Sequence, residues 1–456
     1  MPNNIVELLP LLQKYSKPGP RYTSYPTAPA FKKNYSSDAR LLSLERAGED
    51  ISLYFHLPFC DTLCYFCGCT MLISNNRDRI AEYLDYLEQE IKMTSTVIGD
   101  RNVVQVHWGG GTPTHLLPSE IRRLGEAIHK YFRIAKNAEI SVEIDPREVT
   151  RDHIQALADV GFRRASIGVQ DIDEKVQKAI NRLQPESVTR QVIDWCRRCG
   201  FDSINIDLIY GLPMQTRESF KKTLERVLLF EPDRLALYNF AYVPWLKPHQ
   251  KLIHIEDLPE SQEKLLLFTD ATNTFLEHGY EYIGMDHFAK PGDELSKARA
   301  AGTLQRNFQG YSTLAGCDLV GLGMSAISHI GTTFTQNAKS LPTYYEKIDK
   351  GQFPVVSGLE MTADDRIREE VIMRLMCDLK IDKVAINQLF DIDFDVYFSS
   401  SLDALGELES DGMVIDTPAT LLITEKGRYF LRNIAMCFDA YLKAAVTTIP
   451  VFSKTL

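Results

Sequence analysis

Three absences narrow the reading of this 456-residue chain before any motif is considered. It has no surplus of positive charge: 51 Lys and Arg against 61 Asp and Glu leave a formal net charge of −10. A protein that neutralises nucleic-acid phosphates needs a basic surface instead. It has no run of about 18 apolar residues, the length at which a membrane-spanning helix becomes credible. Its opening residues, MPNNIVELLPLLQKYSKPG, lack the charged lead and the roughly 7–15-residue apolar core of a secretory signal. Internal repeats and low-complexity tracts are missing as well. The expectation is a cytoplasmic protein, monomeric, with no nucleic-acid or membrane partner.

What is present is an ordinary globular composition, 44% hydrophobic and 25% charged, in a chain long enough for a large catalytic body and a smaller appended unit. Through the first two thirds, short β-like runs alternate with helix-length amphipathic stretches. Strands are predicted at Ser52–His56, Val103–Trp108, Glu139–Ile144, Arg164–Val169, Ser203–Ile209 and Arg234–Phe240. Helices are predicted between them at Ile80–Ile98, Pro118–Phe132, Arg151–Val160, Val188–Cys199 and Glu218–Phe230. Such alternation implies a mostly parallel sheet.

Two of these strands alternate cleanly. In Glu139-Ile140-Ser141-Val142-Glu143-Ile144 and in Ser203-Ile204-Asn205-Ile206-Asp207-Leu208 the polar residues share one face. A parallel strand covered on both sides would read as a continuous apolar run. A curved, barrel-like sheet around a polar lumen explains the pattern; a half-exposed antiparallel sheet is the alternative. Before the barrel, Gly19–Pro29 (GPRYTSYPTAP) reads as an arm over the body. From Ala363 the pattern turns helical, with helices at Asp364–Asp378, Val384–Phe390 and Asp395–Leu408, a hairpin over Met413–Ile423 and a last helix over Lys426–Leu442. A winged-helix DNA reader could look like this, but 16 acidic against 9 basic residues between Asp364 and Lys443 oppose phosphate binding. The predicted partition is an arm over 1–35, a catalytic body over 36–362 and a mostly helical C-terminal domain over 363–456.

The nine cysteines are unevenly spread, with Cys60, Cys64, Cys67 and Cys69 falling within ten residues. In a reducing compartment such a cluster points to metal or redox chemistry, not to disulfides. Spacings of four and three residues allow Cys60, Cys64 and Cys67 to converge on three irons of a [4Fe–4S] cubane, leaving the fourth iron open to a small molecule. A zinc site completed by Cys69, or a reactive dithiol, would use the same residues. Zinc usually draws paired ligands from two segments, and the other Cys-x-x-Cys, Cys196 and Cys199, lies in a predicted helix. After the second strand, Trp108-Gly109-Gly110-Gly111-Thr112-Pro113 offers backbone that a ligand can approach closely. Glu143 and Asp207 end lumen-facing strands, where a buried carboxylate needs a partner: ribose hydroxyls, an ammonium group or a structural arginine.

At these residues the chain resembles a known family. Cys-x-x-x-Cys-x-x-Cys with Gly-Gly-Gly-Thr-Pro-Thr resembles the coproporphyrinogen group of radical S-adenosylmethionine enzymes. The added Cys69, the arm PGPRYTSYPTA, NIDLIYGLP (Asn205–Pro213), GMDHFA (Gly284–Ala289), RNFQGY (Arg306–Tyr311) and the tail TEKGRYFLRNIAMCFD narrow the likeness to the oxygen-independent coproporphyrinogen III oxidases. The resemblance implies an α/β fold, a partial (β/α)6 TIM-like barrel with an N-terminal arm and a mostly helical C-terminal domain. It implies a [4Fe–4S] cluster on Cys60, Cys64 and Cys67, and two molecules of S-adenosyl-L-methionine. Tyr54, Phe66, Gly110, Glu143 and Ile327 match the positions around the first molecule; Gly111, Thr112, Gln170, Arg182, Asp207 and Ala241 match those around the second. The implied reaction turns two propionate side chains of coproporphyrinogen III into vinyl groups, giving protoporphyrinogen IX, with an electron donor such as a flavodoxin-type reductant. Cys69 is a family mark without an assigned role. Arg21, in the tyrosine-rich arm, is a candidate clamp for a substrate propionate, with plain packing of the arm as the alternative. The stretch Tyr242–His249 receives no role. A sister branch that traffics haem without oxidase activity shares the three cysteines and the glycine turn, but typically lacks Cys-Gly-Cys and the long arm.

Overall fold

The computed structural model describes residues 8–314, 316–444 and 452–455. Six strands form the body: β1 (Asp50–Leu57), β2 (Asn102–Gly110), β3 (Arg133–Ile144), β4 (Arg164–Gln170), β5 (Ser203–Tyr210) and β6 (Arg234–Asn239). They pair in chain order, each parallel to the next. Helices α1 (Arg77–Ile98), α2 (Pro118–Tyr131), α3 (Arg151–Asp159), α4 (Glu186–Arg198) and α5 (Arg217–Leu228) fill the crossovers, and α6 (Ser261–Glu277) follows β6. This is the partial (β/α)6 barrel, and every predicted strand and crossover helix is found close to its expected bounds, except that β3 begins six residues earlier than predicted, at Arg133 and not Glu139.

The alternation seen in the sequence has a direct structural meaning. On β5, Ile204, Ile206 and Leu208 are fully buried beneath the helices, while Asn205 and Asp207 look into the lumen. Val142 and Ile144 on β3 join the same outer core, and Glu139, Ser141 and Glu143 face inward. Each outward aliphatic or aromatic side chain so buried contributes about 1.5–3 kcal/mol.

The sheet extends beyond the six strands to thirteen, a continuation that the sequence pattern did not announce. β7 (Glu281–Gly284) and β8 (His287–Ala289) add antiparallel strands beside β6. On the other edge β9 (Asp318–Leu322) lies parallel to β1, followed by antiparallel β10 (Ile327–Ile330), β11 (Thr333–Asn337) and β12 (Val355–Glu360), with Lys32–Lys33 outermost. Among the described residues no helix is long and apolar enough to cross a membrane.

After α7 (Ala363–Asp378) the C-terminal unit differs from expectation in three places. Phe398 divides the predicted Asp395–Leu408 helix into Phe394–Tyr397 and Ser399–Ser410. The hairpin is part of a three-stranded sheet that also takes Lys380–Asp382. The last helix breaks into Gly427–Phe430, Leu431–Met436 and Ala440–Ala444. The arm does not simply drape the barrel: Leu8, Leu12, Tyr15, Tyr22 and Tyr25 enter one hydrophobic core with α7 and the C-terminal helices. Tyr22 donates to Asp439 at 3.0 Å, and Tyr25 accepts from the Ala440 amide at 3.1 Å.

Helix α2 packs on the end of α3 through a missing side chain. A Cβ on Gly125 would lie 2.5 Å from the Cβ of Val160. In an exposed helix Gly→Ala stabilises by roughly 0.5–1 kcal/mol; here the sign should reverse. Gly125→Ala is expected to destabilise the chain by about 1–3 kcal/mol, read by thermal or denaturant unfolding, and Gly125→Ala with Val160→Ala should recover part of that loss.

Candidate active site

The strand ends that face the same way carry the loops in which chemistry-bearing residues gather. β1 runs into the cysteine loop, β2 into the glycine turn, and β3, β4 and β5 bring Glu143, Gln170 and Asp207 to the rim. The loops around a chamber of about 590 Å3 contribute Cys60, Cys64, Phe66, Cys67, Cys69, Gly111, Thr112, Glu143, Gln170, Arg182 and Asp207. Eleven of the residues singled out in the sequence thus share one chamber. Tyr54, Gly110, Ala241, Ile327 and Arg21 do not line it. Tyr54 sits behind it on β1, its hydroxyl 3.0 Å from His56 Nδ1 and its ring stacked on His107. Gly110 supports the wall by donating its amide to Glu143 at 3.1 Å. The Ala241 carbonyl accepts from Gln250, and Ile327 packs on the cluster formed by Phe31 and Phe334. Arg21 reaches the barrel end of β6 instead, donating to the Asn239 carbonyl at 2.5 Å.

Backbone joins the cysteine loop to the glycine turn. The Gly111 amide donates to Leu57 O at 2.8 Å and the Thr112 amide to Phe59 O at 2.9 Å. A Cβ on Gly111 would sit 2.4 Å from Pro58 O. Gly110 has φ +119°, and a Cβ there would strike the His56 ring at 2.7 Å. Glycine is therefore required at both positions. The contact sets Thr112 Oγ1 3.3 Å from Cys60 Sγ.

Electrostatics around the thiols are asymmetric. Burial pushes the Cys60 thiol up to about 12. The hydrogen bond from Cys69 holds Cys67 down at about 7, with Cys69 itself pushed up as the partner that keeps its proton. Two guanidiniums approach Cys64: Arg147 Nη2 at 3.5 Å and Arg182 Nη1 at 3.6 Å. Both are oriented by Asp145, at 2.7 Å and 2.8 Å. Burial alone would raise Asp145, yet Arg182 and Arg147 hold its carboxyl down at about 2. Burial would raise Glu143 too; His107 and the Gly110 amide overcome it. Asp207, bonded to Ser166 at 2.9 Å and Asn205 at 2.7 Å, is lifted by burial to about 7.

Several of these residues escaped the sequence reading. Arg147 lies two residues past Asp145 but touches a cysteine 83 positions away, a contact no local spacing reveals. The Tyr242–His249 stretch, given no role, clamps the cysteine loop with its neighbour Gln250. Lys247 donates to Cys69 O at 2.8 Å, His249 Nε2 lies 2.8 Å from Cys67 O, and Gln250 donates to Phe66 O at 3.1 Å. Cys196 is fully buried in α4, where it packs in the outer core.

The residues present fit an iron–sulfur cubane better than a single zinc ion. Among the described residues no three Cys, His, Asp or Glu side chains close on one point as a lone metal ion requires. The thiols are spread around a chamber that Gly111 and Thr112 of the glycine turn also line.

Comparison with known proteins agrees. Residues 54–227 match the model of the radical SAM superfamily, and residues 361–430 match the HemN C-terminal domain. The oxygen-independent coproporphyrinogen III oxidases of Salmonella typhimurium and Escherichia coli are each 45% identical over 436 residues, 95% of this chain and 95% of theirs. The enzyme of Helicobacter pylori strain 26695 is 41% identical over 450 residues, 97% of this chain and 98% of its own. The solved structure of the Escherichia coli coproporphyrinogen III oxidase, described as a radical SAM enzyme, superposes with a TM-score of 0.91 at 43% identity, covering 95% of this chain and 98% of that one. With a chamber of this make-up and relatives this close over nearly its whole length, the chain belongs to the oxygen-independent coproporphyrinogen III oxidase family of radical S-adenosylmethionine enzymes.

Proposed function

We propose that Cys60, Cys64 and Cys67 hold the family's [4Fe–4S] cluster, that two molecules of S-adenosyl-L-methionine share the chamber beside it, and that the lumen presents coproporphyrinogen III to them. Family membership carries the reaction: oxidative decarboxylation of two propionate side chains to vinyl groups, yielding protoporphyrinogen IX in haem biosynthesis. The observation that carries the residue assignment is the convergence of three thiols, a glycine cradle and two lumen carboxylates on one chamber. When bound and reduced, the cluster supplies the electron that cleaves S-adenosylmethionine to the radical which takes a hydrogen from the substrate.

The chain's own residues bind, orient and exclude water. Glu143, kept ionised by His107 and Gly110, suits the ammonium of the first S-adenosylmethionine, with Tyr54, Phe66, Gly110 and Ile327 supporting that end of the site. Gly111, Thr112, Gln170, Arg182, Asp207 and Ala241 serve the second. Cys69, pushed up as the partner that keeps its proton beside Cys67, stays a thiol on the chamber wall. Lys247, His249 and Gln250 hold the cysteine loop in place through its carbonyls. We read the chain as an arm over 1–35, a catalytic body over 36–362 and a C-terminal domain over 363–456, a cytoplasmic monomer served by a flavodoxin-type reductant.

Anaerobic reconstitution with iron, sulfide, S-adenosylmethionine, coproporphyrinogen III and a reductant tests the whole reading. CO2 and protoporphyrin are expected, and Cys64→Ala should abolish both. A fully loaded protein that binds haem stably and releases neither product would overturn it.

A pH dependence follows from Asp207. Its carboxyl titrates at about 7, and only the ionised form can accept hydrogen bonds from both ribose hydroxyls. Binding of the second S-adenosylmethionine should strengthen as pH rises through about 7 and weaken by up to about tenfold per unit below it. Equilibrium dialysis should find two molecules per wild-type chain at pH 8 and one for Asp207→Asn, whose binding should not vary with pH in that range.

Arg147 should tune the cluster. An N–H donor and a positive charge at a cysteine sulfur favour the reduced state. Arg147→Met is expected to lower the midpoint potential by on the order of 30–60 mV, 59 mV being a tenfold change for one electron, with Arg147→Lys falling between. Potentiometry followed by electron paramagnetic resonance measures it; an unchanged potential with full cluster content would refute the assignment.

A further inference from the structure

A second cavity, of about 70 Å3, lies where the arm, the barrel and the C-terminal unit meet. Four cations line it: Arg21 from the arm, Lys264 from α6, and Arg428 and Arg432 from the C-terminal unit. Asp286 is the only carboxylate among the lining residues described. Two of the cations are engaged. Arg432 donates to the carbonyls of Gly19, Pro20, Lys454 and Thr455. Arg21 donates to Asn239 O and faces Asp286 at 3.8 Å.

The other two are not. Neither Lys264 nor Arg428 has a side-chain hydrogen bond or an ion pair among the described residues, and the Nε of Arg428 is buried with no partner. Among the described residues Arg428 lies over the face of the Tyr282 ring, 5.6 Å from its centroid. The Lys264 stem lies against Gly211, where a Cβ would come within 3.1 Å of it; its ammonium is pushed down by burial, and by Lys454 nearby. Both side chains are half-buried with donors unused by the described residues, and an anion would engage both residues together. The rest of the wall, with Leu237, Leu265, Phe268 and Met285, is apolar. A carboxylate on a short aliphatic stem fits both features. A phosphate would bring a second charge towards Asp286 and no stem for the apolar wall.

The cavity lies on the opposite face of β6 from the catalytic chamber, side chains alternating along the strand, and the two spaces approach each other at the strand's C-terminal end. Asn239 lines the cavity, while Tyr238, its neighbour on β6, lines the chamber and the lumen. The Arg21 guanidinium sits over the Tyr238 ring at 6.0 Å. A side arm reaching past this wall would be held away from the thiols.

We propose that this cavity receives a propionate carboxylate of the tetrapyrrole, one that the reaction leaves intact, with Lys264 and Arg428 as its ion-pair partners. The inference rests on the reading that coproporphyrinogen III occupies the lumen. It differs from the clamp expected of Arg21, whose guanidinium is already spent on Asn239 and Asp286; Arg21 forms the wall, and the receiving charges come from α6 and the C-terminal unit.

The test uses the reconstituted holoenzyme with S-adenosylmethionine, anaerobic and without reductant, so that ligands bind but do not react. Binding of coproporphyrinogen III and of protoporphyrinogen IX is measured for the wild type, Lys264→Gln, Arg428→Gln and the double variant. Because a retained arm is common to substrate and product, both dissociation constants should rise, by about tenfold for each single variant. Lys264→Arg and Arg428→Lys should stay within about threefold of wild type, and cluster content and S-adenosylmethionine binding should be unchanged in all, which separates a lost contact from a misfolded chain. Free propionate should compete with coproporphyrinogen III in the wild type and not in the double variant. Unchanged affinity for both tetrapyrroles overturns the proposal, as does free propionate that binds without competing. A loss confined to coproporphyrinogen III overturns it too, by placing a reacting arm there. A wild type that binds no coproporphyrinogen III sinks the functional reading itself, whereas a wild type that binds and variants that bind equally well sink this inference alone.

Discussion

The approach of the glycine turn to the cysteine loop is the contact on which the chamber depends. Two loops that follow neighbouring parallel strands must lie backbone to backbone, because Gly111 and Thr112 donate directly to Leu57 and Phe59. Any side chain at residue 111 would push the loops apart at Pro58. With the loops joined, Thr112 falls beside Cys60, and Leu72 and Ser74 return amides to Pro58 and Cys60. A loop carrying three prospective ligands must be held before the metal arrives, or ordering it would be charged against the affinity for the cluster. The chain meets that requirement with main-chain bonds on one side. On the other, Lys247, His249 and Gln250 grip the carbonyls of Cys69, Cys67 and Phe66.

The same rim resolves an electrostatic conflict. The chain is acidic overall, yet its chemistry calls for thiolates, ionised carboxylates and a substrate with several carboxylates. Cations are therefore placed locally and in pairs. Arg147 and Arg182 stand at Cys64 with Asp145 between them, so that each guanidinium is aimed by a carboxylate and still has donors to spare. Different partners separate the two carboxylates of the lumen in function as well. Glu143 is charged because a histidine and an amide hold it so, whereas Asp207 has only neutral donors and titrates near neutrality.

The barrel was legible because its strands are half-buried in a regular way. Period-two alternation survives in β3 and β5 since one face meets helices and the other a polar lumen. The cysteine loop and the glycine turn were legible because each is one short stretch with a composition of its own. The added strands β9–β12 were not: they are four to six residues long, and although β9 lies parallel to β1, β10–β12 follow it in antiparallel pairs with no helix-length crossover to mark them. The Arg147 contact with Cys64 and the clamp from Lys247 to Gln250 were invisible for another reason. They join residues far apart in the chain through single polar atoms, and no periodicity records such a meeting. The breaks at Phe398 and in the last helix reflect packing, since Phe398 and Phe438 meet at 5.3 Å in the shared core. Helix propensity alone would have carried the helices through.

That shared core changes what the arm is. A segment rich in Pro and Tyr reads as a strap across the barrel, but Tyr15, Tyr22 and Tyr25 are buried among the C-terminal helices, and Arg432 binds the arm by its carbonyls. The arm is thus a structural part of the C-terminal unit that also returns to the barrel, at the sheet edge through Phe31 and Lys32–Lys33 and at the end of β6 through Arg21. Through Arg21 the two bodies are joined at the end of β6, at the wall between the chamber and the cationic cavity. A disturbance of the C-terminal core would reach the chamber by this route even though no C-terminal residue lines it. The covalent distance is large, but the physical path is short: Asp439 to Tyr22, then one peptide bond to Arg21, then the Tyr238 ring.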